Sequence, residues 1–164
     1  MALTGDLIAT YRAPRAVMRH HLAMGVREDR ALIYLIAACV LIFVSRWPGL
    51  QRQAFLDESV PLEALLGGAL LGWLFIAPLA LYAIAALSHL AARAIGGQGS
   101  GFGARLALFW ALLAASPLWL LNGLVAGFIG PGIQLTLTGA LALAVFVLFW
   151  GINLHQAEFS KVPA

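Results

Sequence analysis

Residues 106–157 read LALFWALLAASPLWLLNGLVAGFIGPGIQLTLTGALALAVFVLFWGINLHQA, which is 52 consecutive positions without an Asp, Glu, Lys or Arg. A second stretch, residues 64–92, is equally free of these four residue types. A soluble domain of 164 residues has too much surface and too little interior to hide apolar runs of this length. Lipid is therefore the predicted solvent for most of the chain.

The composition supports this prediction and excludes other classes of protein. Hydrophobic residues make up 62% of the chain and charged residues 10%, whereas soluble domains have about 45–50% and about 25%. The one cysteine, Cys39, lies in an apolar run, so an intramolecular disulfide and a cysteine-based metal cluster are excluded. The length suits one domain. The basic residues gather beside the apolar runs, and we expect no nucleic-acid partner.

The positions of the apolar runs predict four membrane-spanning helices. Gly130, Pro131 and Gly132 divide the long run, because this sequence cannot comfortably continue a helix. Pro78 lies near the middle of the second span and predicts a kink close to the preceding turn. The predicted spans are residues 31–47, 62–92, 105–128 and 133–154.

We therefore predict an all-α integral membrane protein with about four transmembrane helices in one bundle. A basic amphipathic interfacial helix is predicted to precede the bundle. The predicted parts are a cytoplasmic N-terminal segment over residues 1–30, the bundle over residues 31–154 and a short cytoplasmic tail over residues 155–164.

The distribution of basic residues predicts the orientation. With four spans, eight basic residues fall on one side and two on the other, and cytoplasmic loops carry the excess of Lys and Arg. Nine Arg against one Lys is typical of a GC-rich bacterial genome, so we expect an inner membrane with both termini cytoplasmic. The eight are Arg12, Arg15, Arg19, Arg27, Arg30, Arg93, Arg105 and Lys161, and the two are Arg46 and Arg52.

The N-terminal segment carries the predicted amphipathic helix. On a helical wheel, five arginines fall within an arc of about 120°, and the opposite side is populated by Val17, Met18, Leu22 and Met24. Gly25 argues against one continuous helix. Two interpretations stay open: the arginines bind anionic lipid headgroups, or they act only as topology signals. The candidate headgroup-binding residues are Arg12, Arg15, Arg19, Arg27 and Arg30.

Two pairs of glycines four residues apart are candidate sites of helix packing, because glycine lets a neighbouring helix approach closely. Packing within the chain is the first interpretation, and a homo-oligomer interface is the alternative. The pairs are Gly68 with Gly72 and Gly123 with Gly127.

The sequence offers little for catalysis. Apart from Glu63 at the start of the second span, no Asp or Glu lies in a predicted span. Adjacent His20 and His21 point about 100° apart on a helix, so they do not hold one metal ion together. The glycine-rich loop, residues 96–103, lacks the lysine of a phosphate loop. We predict no catalytic residue, no cofactor and no metal site.

The remaining polar residues are expected to have structural roles. His89, near the cytoplasmic end of its span, is expected to meet lipid headgroups. Asn122 is expected to bond a neighbouring helix. Ser100 is expected to cap the helix that follows the glycine-rich loop.

Short motifs resemble bacterial members of the Ypt-interacting protein (Yip) domain family. Pro14 and Arg15 head an arginine-rich helix, and the loop GGQGSGF at residues 96–102 leads to Ser116 and Pro117 within the next span. The resemblance covers roughly residues 14–149 and implies a polytopic, non-enzymatic helical membrane protein. Eukaryotic members bind Rab-type GTPases. The Asp-Leu-x-Gly-Pro signature of those members is absent here, so Rab binding does not carry over, and the family usually has five spans.

These observations lead to three functional hypotheses. The leading one is a non-enzymatic inner-membrane scaffold or accessory protein of the Yip family. The second is an oligomeric small-molecule transporter or channel, and the third is an accessory subunit of a larger membrane complex. The expected partners are the lipid bilayer and either a second copy of the chain or another membrane protein.

Overall fold

The computed structural model describes residues 3–160, which are 87% helical and contain no β-strand. The predicted all-α class is confirmed for this part of the chain. The helices are α1 (Leu3–Arg12), α2 (Pro14–Ala23), α3 (Glu28–Leu56), α4 (Leu62–Leu70), a π-helical turn (Leu71–Ile76), α5 (Ala77–Ala94), α6 (Gly101–Phe128) and α7 (Ile133–Phe159).

Four helical stretches are long and apolar enough to cross a membrane, in agreement with the predicted number. Their ends differ from the predicted spans. The first stretch, Glu28–Leu56, continues beyond residue 47 with Pro48 inside the helix. The fourth continues to Phe159, so residues 155–159 belong to a helix and not to the predicted tail. Lys161 and the rest of that tail lie outside the described residues, as do residues 1–2 of the N-terminal segment.

The second stretch, Leu62–Ala94, is helical throughout but changes its hydrogen-bonding pattern in the middle. Residues Leu71–Ile76 form the π-helical turn, and Pro78 follows two residues later. The proline ring clashes with the carbonyl of residue 74 in a regular α-helix. A wider turn around that carbonyl relieves the clash. The irregularity predicted before Pro78 therefore takes the form of a π-helical turn.

Helix α6 is the centre of the bundle. From Phe102 to Ser116 every residue except Arg105 is buried. Helices α3, α5 and α7 pack against α6, and side chains of α1 and α2 cover the same half. The largest buried side chains include Trp110 and Phe109, which pack in one apolar cluster with residues of α2 and α3. The centre of the bundle is thus filled by large apolar side chains.

The loops and helix ends gather at two ends of the bundle, a proximal end and a distal end. At the proximal end, residues 24–28, 95–101 and 155–160 meet, as the hydrogen bond from the Gln98 amide to the Glu158 carbonyl shows. At the distal end, residues 48–61 and 127–132 meet, where Gly127 lies against Pro48. Because the number of long apolar helical stretches is even, the N-terminal helices and the end of α7 lie at the same end of the bundle.

Candidate functional site

The five candidate headgroup-binding arginines do not share one helix. The helix breaks at Gly25, which takes a φ of +80° and follows the end of α2. Arg27 therefore lies in the connection, where it pairs with Asp29 at 2.8 Å, and Arg30 lies in the first turn of α3. The three that remain on the N-terminal helices are exposed; they are Arg12, Arg15 and Arg19.

Helices α1 and α2 form a hairpin, the N-terminal hairpin (residues 3–23), that packs into the proximal half of the bundle. The Tyr11 hydroxyl donates to the carbonyl oxygen of Ala114 at 2.7 Å, and the Trp110 indole donates to the Thr10 hydroxyl at 3.1 Å. Met18 is completely buried. Ala114 lies about 20 Å along α6 from its first residue, at 1.5 Å per residue. The apolar side that we expected to lie in lipid therefore contacts protein.

His21 is enclosed beneath the hairpin. Its side chain lies against Trp110, with ring centroids 4.4 Å apart, and against Tyr34 at 5.5 Å. Neither ring nitrogen has a hydrogen-bond partner. Burial lowers the pKa of His21 to about 4, an effect that the charge of Asp6 partly opposes. The imidazole is therefore neutral at pH 7, while its neighbour His20 is exposed.

The glycine-rich loop forms hydrogen bonds at the ends of both helices that it joins. Helix α5 ends at Ala94, and Gly96, two residues later, takes a φ of +93° that favours glycine. The Gly97 amide donates to the Ala92 carbonyl oxygen at 2.8 Å. The Ser100 hydroxyl accepts a hydrogen bond from the Gly103 amide at 3.1 Å, which confirms the predicted N-cap of α6. The loop is therefore a defined connection at the proximal end.

The same loop also packs against the end of α7. A Cβ on Gly99 would lie 2.2 Å from the carbonyl oxygen of Ala157 and 2.8 Å from a carboxylate oxygen of Glu158. A Cβ on Gly101 would meet only ordinary contacts, the nearest at 3.6 Å. Close approach to α7 thus requires glycine at position 99, which the sequence did not reveal.

His89 and Glu158 meet inside the proximal end, and this corrects the expectation for His89. His89 Nδ1 lies 2.6 Å from Glu158 Oε1, so the imidazole is paired with a carboxylate and does not simply meet headgroups. Glu158 lies beyond the predicted span 133–154, in the last turn of α7, and its side chain is fully buried. Its second oxygen, Oε2, has no hydrogen-bond partner among the described residues. A further contact at this end is the ion pair of Arg105 with Glu28.

A cleft of about 850 Å³ opens beside this pair, the proximal cleft. The glycine-rich loop, the end of α2 and the last turn of α7 line it. Glu158 is among its lining residues, and Phe102 and Phe159 supply apolar surface. The cleft therefore presents one buried acidic group within a mostly uncharged wall.

The two glycine pairs have different surroundings. A Cβ on Gly123 would lie 1.8 Å from the Ser45 carbonyl oxygen, and one on Gly127 would lie 2.4 Å from the Pro48 side chain. These glycines lie where α6 packs directly on α3. By contrast, a Cβ on Gly68 or Gly72 would meet nothing within 4 Å, so these two glycines pack against no neighbour within the described chain.

The distal end holds a second cleft, of about 760 Å³, between α3, α6 and α7 (the distal cleft). Asn122 lies in its wall and donates to the Leu135 carbonyl at 3.0 Å and to the Thr138 hydroxyl at 2.8 Å, as predicted for a bond to a neighbouring helix. Arg46 and Arg52 also line the cleft. Its basic side chains distinguish it from the proximal cleft.

The arrangement offers binding surfaces and few groups for chemistry. Within residues 3–160 no three His, Cys, Asp or Glu side chains are placed to hold a metal ion together. Cys39, the one cysteine, is buried in the apolar cluster. The two clefts open at opposite ends of the bundle, and the apolar cluster around Phe109 and Trp110 lies between them.

Comparison with protein-family models gives no match, and no curated protein or solved structure matches the chain. The resemblance to the Yip family therefore stays a prediction from short motifs.

Proposed function

We propose that this chain is a multi-pass protein of a bacterial inner membrane with a non-enzymatic scaffold or accessory role, of the Yip type. The observation that carries the proposal is the apolar surface of the long helices. Large side chains such as Phe75, Leu79 and Leu87 are more than half exposed on the second stretch. Contiguous apolar surface on this scale is not stable in water and is expected to face lipid or another membrane protein.

The filled centre favours a scaffold over a channel. A pore or a substrate path needs polar groups that converge near the membrane midplane. Here Trp110, Phe109 and Leu113 fill the middle of the bundle and are almost completely buried. A protein that acts through its outer surfaces and its two ends needs no such path.

The orientation follows from the charges together with the shared side of the termini. The proximal end carries most of the basic residues, so we place it in the cytoplasm. Helix α6 is about 42 Å long at 1.5 Å per residue, whereas the hydrocarbon core is about 30 Å thick. With Gly127 at the outer boundary of the hydrocarbon core, Ala114 and the hairpin tip that contacts it lie about 10 Å inside the inner boundary of the core. The exposed arginines of the hairpin then extend toward anionic headgroups.

Membrane placement is tested by extraction and by reporter fusions. The protein should stay in the membrane fraction after alkaline carbonate treatment, and a reporter active only in the cytoplasm should be active when fused to either terminus. Release by carbonate would contradict insertion. An active N-terminal fusion with an inactive C-terminal fusion would contradict four spans and agree with five.

The scaffold role itself is tested by purification in mild detergent. A copy of the chain or a second membrane protein should co-purify at fixed stoichiometry, and substitution of Gly68 and Gly72 by Leu is expected to release it if α4 is the contact surface. A protein that is monomeric and without a partner at native expression level would contradict a scaffold or accessory role.

A transporter is the second candidate, because two clefts open at opposite ends of one bundle. Alternating access would have to open the apolar cluster, in which Cys39 is completely buried. A water-soluble thiol reagent should leave Cys39 unmodified in proteoliposomes if the centre stays closed, and should modify it in denaturant. Modification under native conditions would favour the transporter.

A further inference from the structure

The distal cleft contains a guanidinium group that the chain holds in place but does not neutralise. Arg52 Nη1 donates to the Gly127 carbonyl oxygen at 3.3 Å, while its Nε is buried without a partner. Among the described residues, no carboxylate lies within the 4.0 Å of an ion pair from either Arg52 or Arg46. A partly buried cation of this kind favours an anionic partner.

The turn between α6 and α7 fixes the position of Arg52. Gly130 takes a φ of +89°, and a Cβ at this position would lie 2.8 Å from the Arg52 guanidinium. The backbone of the Gly-Pro-Gly turn therefore packs directly against the charged group. This arrangement holds the guanidinium at the cleft with little freedom, which lowers the entropic cost of binding a ligand.

The rest of the lining is suited to an amphiphile. Trp119 supplies an indole Nε1 that is buried without a partner, and Leu135 and Leu143 supply apolar wall. Asp57 is the one carboxylate among the lining residues, and its Oδ1 accepts a hydrogen bond from the Ser59 amide at 3.0 Å. With two arginines against one aspartate, the lining carries an excess positive charge.

We infer that the distal cleft binds one anionic phospholipid, whose phosphate lies on Arg52 and whose acyl chain follows the apolar wall between α6 and α7. The inference rests on the proposed membrane placement, because α3 and α6 leave the apolar layer at this level. Arg46 and Trp47 follow the last apolar residues of the first span, a pattern typical of the depth of lipid phosphates. Guanidinium groups bind phosphate through charge-assisted hydrogen bonds.

Native mass spectrometry of the protein in neutral detergent tests this site. The probes are phosphatidylglycerol, a diacylglycerol with the same acyl chains, and inorganic phosphate. The wild-type protein should retain one phosphatidylglycerol and bind both other probes at least about tenfold more weakly. Equal binding of diacylglycerol would overturn a role for the phosphate. Inorganic phosphate that displaces phosphatidylglycerol at equal concentration would show a site for free anions, and would overturn the lipid.

Variants assign the binding to the cleft. Arg52→Gln should weaken phosphatidylglycerol binding about tenfold, and Trp119→Phe, which keeps an aromatic ring but removes the N–H, about threefold. Arg93→Gln, an exposed arginine at the proximal end, is the matched control and should bind as wild type does. If Arg52→Gln fails to fold, phosphatidylglycerol binding by Trp119→Phe still tests whether the lipid occupies the distal cleft. Unchanged binding in the folded distal variants, or an equal loss in the control, would overturn the site.

This measurement is independent of the membrane-placement test. Lipid binding is measured in detergent and does not require insertion, whereas carbonate extraction and the reporter fusions do not depend on Arg52. Loss of the lipid site with normal extraction would leave the proposed function in place.

Discussion

The carboxylate of Glu158 is fully buried and has one partner, the imidazole of His89. Because a buried charge without a partner is costly, we expect His89→Ala to destabilise the protein by about 3–5 kcal/mol. At about 2–4 °C per kcal/mol for a chain of this size, the thermal midpoint in detergent should fall by at least about 6 °C. Glu158→Gln keeps an acceptor oxygen but removes the charge, so its loss of stability should be smaller than that of His89→Ala.

A double-variant cycle separates the pair from its surroundings. His89→Ala combined with Glu158→Leu leaves no buried charge, so the combined loss should be smaller than the sum of the single losses. Losses that simply add would contradict coupling between the two side chains.

His21 predicts a dependence of stability on pH. Its pKa is about 4 in the folded chain, and about 6.5 when unfolded. The unfolded chain therefore takes up the proton first as pH falls, and folding loses about 1.4 kcal/mol per pH unit between pH 6.5 and 4. Above pH 6.5 His21 is neutral in both states, so it adds no pH dependence to the free energy of unfolding.

The measurement is the thermal midpoint at pH 7.5 and pH 5.0. Replacement of His21 by Phe should remove about 2 kcal/mol of the acid-induced loss at pH 5.0. His20→Phe, at an exposed neighbouring position, is the matched control and should keep the wild-type slope. Equal slopes in the two variants would refute the assignment to His21.

The close contact between α3 and α6 depends on the absence of a side chain at Gly123. A Cβ at position 123 would lie 1.8 Å from the backbone oxygen of Ser45, which cannot rotate away. We expect Gly123→Ala to separate the helices and to cost at least about 3 kcal/mol, measured as a lower thermal midpoint in detergent. Gly68→Ala, which meets nothing within 4 Å, should be neutral or stabilising by up to about 1 kcal/mol. A loss in the Gly68 variant, with a change in oligomeric state, would instead identify α4 as an interface between copies.

The number of long helices could be predicted, but their ends could not. Charge-free runs indicate which residues lipid accepts, whereas a helix needs only continuous backbone hydrogen bonds. Residues 155–159, which include Gln156 and Glu158, and the segment after Arg46 form helix although they do not continue the apolar spans. The helices therefore extend past the predicted spans.

The sites were less predictable than the helices because they join distant parts of the chain. His89 and Glu158 are 69 residues apart, and Tyr11 and Ala114 are 103 apart, so no local spacing reveals either contact. The amphipathic pattern of α2 was recognised correctly at Val17 and Met18. A pattern of this kind cannot tell whether its apolar side faces lipid or protein.

For the whole molecule, the N-terminal hairpin is expected to be held chiefly by the bundle. Met18 is completely buried, and Met18→Ala should cost about 2–5 kcal/mol and raise amide exchange throughout α1 and α2. The exposed Met24 is the matched control, and Met24→Ala should leave the exchange unchanged.

The three exposed arginines of the hairpin should make a smaller contribution to its attachment, and only in the presence of anionic lipid. Replacing Arg12, Arg15 and Arg19 together by Gln should leave exchange in neutral detergent unchanged. In anionic nanodiscs each replaced Arg should lower the free energy that protects the hairpin from exchange by about 1 kcal/mol. Salt should weaken this difference from wild type. If the triple variant exchanges freely in anionic nanodiscs while Met18→Ala does not, lipid and charge hold the hairpin there, and the packing against the bundle does not.

The π-helical turn at Leu71–Ile76 has a consequence for how this chain can change length. Bonding from residue i to i+5 accommodates one more residue than a regular α-helical turn does. Deletion of one residue there would restore the ordinary pattern while α4 and α5 keep the same faces toward their neighbours. The same deletion elsewhere in Leu62–Ala94 would rotate everything after it by about 100°. Homologous chains that are one residue shorter in this stretch should therefore have their gap within the turn.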